Sequence, residues 1–119
     1  FSYMFKGAAF NGDISNWDLS SAKNLSVMFQ DSEFNQDLSN WNLLSVENTA
    51  AMFKNGKFNQ DISNWMVRNV EWMGWMFQGC AFKQDVSGWD LSSLKNMDFI
   101  FDRSPLKKEY GVNGEKLNK

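Results

Sequence analysis

Histidine is absent, and proline and cysteine each occur once, as Pro105 and Cys80. Without histidine the chain lacks the commonest general base and metal ligand. A lone cysteine cannot close an intrachain disulfide. Cys80 stands where earlier copies of the pattern described below carry small residues such as Ala8 and Ser32, so it reads as a small buried side chain rather than a reactive thiol. No apolar run reaches the length of a membrane span, and the first residues do not form a signal-peptide pattern. Charge of one sign is also missing: 12 Lys and Arg face 14 Asp and Glu, for a net charge of −2. Basic residues gather only near the end, at Arg103, Lys107, Lys108, Lys116 and Lys119, where they read as a solvated tail. That distribution speaks against a nucleic-acid binder relying on phosphate neutralisation. The GxSxG, P-loop and Cys/His metal signatures are absent too, so the chain reads as a non-enzyme with no cofactor and no metal.

What is present is a strict period. FNGDISNW at 10–17 returns as FNQDLSNW at 34–41, FNQDISNW at 58–65 and FKQDVSGW at 82–89. Trp17, Trp41, Trp65 and Trp89 recur at one constant interval, a period of 24, and Phe10, Phe34, Phe58 and Phe82 keep the same step. A second aromatic column runs through Phe5, Phe29, Phe53, Phe77 and Phe101, with methionine before the first four. A period of this length predicts a solenoid whose units bury their faces against one another. The W-x-L segments alternate with period 2 and recur in one direction, which predicts short parallel strands. Ala22, Leu25 and Phe29 lie at i, i+3, i+7, as do their equivalents in each later unit, which predicts short crossover helices. Ser21, Ser45, Asn69 and Ser93 suit their N-caps. The expected fold is thus an α/β, right-handed, leucine-rich-repeat-like solenoid over residues 1–105, of about four units with the first truncated. Each unit is expected to hold one short parallel strand and one short helix. A C-terminal cap and polar tail are expected at 106–119.

FNQDISNW together with Met-Phe at a fixed offset resembles the BspA-like (DUF285) bacterial surface-protein repeats, found in mycoplasma lipoproteins and grouped with the leucine-rich repeats. The resemblance covers about residues 1–105, with departures at Met66, Arg68, Trp72 and Gly88. It implies surface display and protein–protein contact such as adhesion, in an extracellular or cell-surface setting, and no known reaction.

The columns themselves read as scaffold. Trp is core. Asp13, Asp37, Asp61 and Asp85 read as turn caps assisted by Ser15, Ser39, Ser63 and Ser87 rather than as calcium ligands. Specificity is to be sought where copies disagree. Between Trp and Leu, and two residues on, the first and fourth copies carry Asp18, Ser20, Asp90 and Ser92, whereas the middle copies carry Asn42, Leu44, Met66 and Arg68. Leu44, Met66 and Arg68 are interface types on an outward face, and drift on a tolerant surface is the competing explanation. Trp72 replaces an Asn and reads as exposed, a hot-spot type; Trp75 reads as partly buried. The expected partners are host or matrix proteins, with no nucleic acid and with a membrane reached only through an anchor outside this stretch. The open first unit predicts further repeats in a longer protein or end-to-end self-association. The alternative function is a structural spacer that holds another domain away from the cell.

Overall fold

The computed structural model describes residues 1–117. Its backbone is built from tight turns. In the stretch 25–32 the amides alternate between two kinds of partner. Leu25, Val27, Phe29 and Asp31 donate to the carbonyls of Asn48, Ala50, Met52 and Lys54 at 2.8–3.0 Å. Met28, Gln30 and Ser32 instead donate three residues back, to Leu25, Val27 and Phe29, at 3.2–3.3 Å. The same alternation holds at 49–56, from Thr49 to Trp72 through Asn55 to Gln78, and at 73–80, from Met73 to Asn96 through Gly79 to Asp102. Backbone amides in these stretches are therefore paired in two directions, some within the turn and some with the equivalent stretch of the next unit.

Two left-handed residues per turn make this possible. Val27, Ala51, Trp75 and Phe99 have φ of 56–62°, and Asp31, Asn55, Gly79 and Arg103 have φ of 53–64°. A left-handed residue ends an α-helix, because its carbonyl no longer points along the axis. Yet the inward set is the one a helix would give: Leu25, Met28, Phe29 and Ser32 are all buried.

The leucine-rich-repeat-like solenoid of strands and helices is therefore overturned. Among the described residues there is no strand. Only isolated parallel bridges occur, linking Asn24 to Asn48, Asn48 to Trp72 and Trp72 to Asn96. The W-x-L segments cannot extend into strands because turns close on both sides: Trp41 donates to Leu38, and Val46 to Leu43. The expected crossover helices are the turn stretches just described. The expected N-caps act differently as well. Ser45 Oγ donates to the Ser20 carbonyl and Asn69 Nδ2 to the Leu44 carbonyl, so they tie neighbouring turns together.

The core is a stack of rings. Phe5, Phe29, Phe53, Phe77 and Phe101 follow one another at centroid separations of 5.5–6.0 Å, nearly parallel. Phe10, Phe34, Phe58 and Phe82 form a second column at 6.1–6.3 Å. The columns touch at 4.1–4.6 Å. Trp41, Trp65 and Trp89 are buried beside them. Each indole Nε1 donates to a carbonyl of the preceding turn, Ile14, Leu38 or Ile62, at 2.8–3.1 Å. The polar end of the indole is thus satisfied where its ring is buried.

Residues 106–117 close the C-terminal end. Among the described residues the one α-helix, α1 (Lys107–Tyr110), lies here. Leu106, Tyr110 and Leu117 join the core. Tyr110 packs on Phe101 at 5.5 Å, and its hydroxyl donates to Asp85 Oδ1 at 3.1 Å. Of the stretch expected as a cap and polar tail, Leu106, Tyr110 and Leu117 are packed while Lys107, Lys108 and Lys116 are exposed; Lys119, read as part of the basic end, lies outside the described residues.

Candidate functional site

Three of the four residues singled out by breaks in the pattern converge. Leu44 lines a depression of about 340 Å³ with Asn40, Asn42 and Asn64 around it and Trp41 beside it. Arg68 and Asp90 line a neighbouring one of about 250 Å³. Asn64 and Met66 belong to both, so the two form one shallow groove with Met66 at its centre. Met66 is 59% exposed, whereas Trp65 and Val67 on either side are buried. The short W-M-V segment explains this: alternate side chains point inward, and the one between them points out. Arg68 lies close enough to Asp90 to favour its charged form. The Asp90 carboxyl is held below the usual range first by the Ser92 hydroxyl and then by the Ser92 amide, with Arg68 adding to them.

The polar columns around the groove are structural. Asp13, Asp37, Asp61 and Asp85 each accept the amide of the serine two residues on at 2.8–2.9 Å. Their carboxyls titrate lower than an ordinary aspartate. For Asp13 and Asp85 the serine hydroxyl contributes most and its amide next; for Asp37 and Asp61 the order is reversed. One ladder was not legible in advance. Asn11, Asn35 and Asn59 each accept, on Oδ1, the amide of the equivalent residue in the next unit, Asn35, Asn59 or Lys83. Gln36, Gln60 and Gln84 donate to the backbone carbonyls of the same asparagines at 3.1–3.3 Å. The middle letters of FNQD are therefore the rungs that join turn to turn.

Cys80 is buried, with its thiol facing the Phe58 carbonyl at 3.4 Å, and burial pushes its pKa up to about 11. Such a thiol is a poor nucleophile. Among the described residues no group of three His, Cys, Asp or Glu side chains could hold a metal ion. No helix among them is long and apolar enough to cross a membrane.

Trp72 does not line the groove. It belongs to another wall, 42% exposed, with the Lys95 ammonium 5.8 Å from its ring centroid. Trp75 and Phe99 also project outward, 41% and 45% exposed, and stack on each other at 5.9 Å. Sequence reasoning treated their column as partly buried. The signal that would have found them is the pairing of two aromatics in successive units of a column that also holds Val27 and Ala51.

With this geometry in view, comparison with known families places the chain. A family model described as "Mycoplasma protein of unknown function, DUF285" matches residues 1–111, and the chain belongs to that family. The leucine-rich-repeat-like grouping that came with the BspA-like resemblance is not supported, because the described residues form no strand and only one four-residue helix. Neither the curated proteins nor the solved structures contain a match to the chain.

Proposed function

We propose that this chain is a non-enzymatic binding module, displayed outside the cell or on its surface, that docks a protein through the groove centred on Met66. One observation carries the reading. Where the first and fourth copies place Asp and Ser, the middle copies place Leu44, Met66 and Arg68, and these line one continuous groove. An exposed methionine next to a charged arginine, over a floor edged by asparagine amides, has the composition of an interface centre with a polar rim. The cell-surface setting is proposed together with the docking role, since the family's description itself names no function.

The test is a triple variant, Leu44→Ser, Met66→Asp and Arg68→Ser, which restores the residue types of the outer copies. Its far-ultraviolet spectrum and melting profile should match the parent, since none of the three side chains is buried. Surface plasmon resonance over immobilised extracellular-matrix proteins should then show binding by the parent and a loss of about tenfold or more by the variant. No binding by the parent, or equal binding by both, rejects the reading.

A further inference from the structure

We propose that the wall bearing Trp72, Trp75 and Phe99 is a carbohydrate-binding site for neutral pyranose oligosaccharides, separate from the Met66 groove and independent of what that groove binds. The scaffold does not require rings here, since the same column holds Val27 and Ala51. Trp75 and Phe99 nevertheless occupy left-handed backbone, at φ 58° and 59°, where a bulky side chain is disfavoured. Both project into solvent and stack on each other. On the side of Trp75 away from Phe99, the equivalent residue of the preceding turn is Ala51, which brings a methyl group rather than a ring.

Next to these rings lies a polar groove of about 220 Å³ lined by Lys95, Asn96, Asp98, Asn113 and Glu115, among others. Direct contacts join groove to rings. Asn113 Oδ1 accepts the Phe99 amide at 2.8 Å, and Lys95 lies over the Trp72 ring while pairing with Glu71 at 3.4 Å. Asn96 is held in place, its Oδ1 accepting the Asp98 amide at 3.0 Å and its Nδ2 donating to Asp98 Oδ2 at 3.3 Å.

A pyranose matches this pairing of surfaces. One of its faces is a patch of C–H groups that packs against the electron-rich face of an indole. Its rim is a row of hydroxyls that both donate and accept, as amides and carboxylates require. The charge narrows the class further. Lys95, the one basic side chain among the described residues that line the groove, is already paired with Glu71, and Asp98 beside it is acidic, so sulfated or uronic-acid chains gain no cationic partner there and neutral or N-acetylated sugars are favoured. An apolar protein anchor would instead call for a dry pocket, which this charged and amide-lined groove does not provide.

The experiment titrates the isotopically labelled chain with cellohexaose, chitohexaose and a heparin hexasaccharide, following the indole N–H resonances. With one of the two neutral sugars, Trp72 and Trp75 should shift while buried Trp41, Trp65 and Trp89 stay still. Trp75→Ala and Phe99→Ala should weaken binding about tenfold or more with unchanged melting, and Trp75→Phe should recover part of it. Ala51→Phe, which sets a ring against the free side of Trp75, should also weaken it. Met66→Asp should leave it intact. No shift at about 10 mM of either neutral sugar, tighter binding of the heparin fragment, or undiminished binding by Trp75→Ala overturns the proposal.

Discussion

Met4 and Met52 occupy equivalent positions, and so do Trp17 and Trp65. Yet Met4 is 49% and Trp17 36% exposed, while Met52 and Trp65 are 0% and 3%. At the opposite end Phe101 is as buried as any ring in the middle. The reason is visible there. Tyr110 takes the place of the next ring, the Val112 carbonyl accepts the Phe101 amide, and Asn113 accepts that of Phe99. A side chain in this protein is thus buried by the neighbouring turn rather than by its own. The rings of the first unit have no preceding turn among the described residues, whereas the last rings are covered by an irregular segment that mimics the pairing of another turn.

The sharpest way to break this comparison is to truncate one column at two heights. Met52→Ala should cost about 2–5 kcal/mol in urea unfolding, in line with deleting a fully buried methionine. Met4→Ala, half exposed at the same position, should cost less than about 1 kcal/mol. Equal losses would mean that the neighbouring turn is not what buries the column.

A smaller effect is expected from Tyr110→Phe, which leaves the ring on Phe101 and removes the hydroxyl bonded to Asp85. The urea midpoint should drop by less than for Met52→Ala. The pH profile supplies the signature. Burial, and next the bond to Asp85, raise the Tyr110 phenol above its ordinary 10.0. The stability it contributes is present below that value and is lost as pH rises through the raised folded value. Tyr110→Phe should remove this alkaline decline and leave the acid one except for the part that the Tyr110 hydroxyl gives to Asp85. The acid decline belongs to the aspartates, whose folded values lie below 3.8, so their contribution is present above that pH and is lost as pH falls through the folded values. An unchanged alkaline limb in the variant would show that the cover does not depend on this bond.

The smallest effect should have the opposite sign. Val27 is β-branched and sits at φ 62°. Val27→Gly relieves a left-handed strain of about 1–2 kcal/mol, part of which is offset by the greater freedom of the unfolded chain. A net gain of up to about 1 kcal/mol should appear as a raised urea midpoint. Destabilisation would mean that the valine side chain holds the turn more firmly than its backbone strains it.

These contrasts also explain which parts of the molecule could be read in advance. The period alone made Trp41 and Phe53 inward-facing, because columns of identical apolar residues can be satisfied only by one another. The backbone could not be read in the same way. Leu25, Met28 and Phe29 fall on one side of an α-helix, and they fall equally on one side of a run of turns reset by left-handed residues. Residue type gave no warning of the second, since Val27, Ala51 and Phe99 sit where glycine or asparagine is expected. The departures at Leu44, Met66 and Arg68 were visible as breaks in the columns, but their meeting in one groove was not. Trp75 and Phe99 were missed because a helix would have turned their column partly inward.

The backbone bonds between successive turns carry a kinetic consequence. Leu25 reaches Asn48, Thr49 reaches Trp72 and Met73 reaches Asn96, always one unit further along the chain. Each closes a loop of nearly the same size, so no one pairing carries a larger closure entropy than the others. Any two adjacent turns can serve as the folding nucleus, and growth from that pair meets the same barrier in either direction. Folding speed should then follow the formation of the first pair of turns and depend little on how many turns come after it.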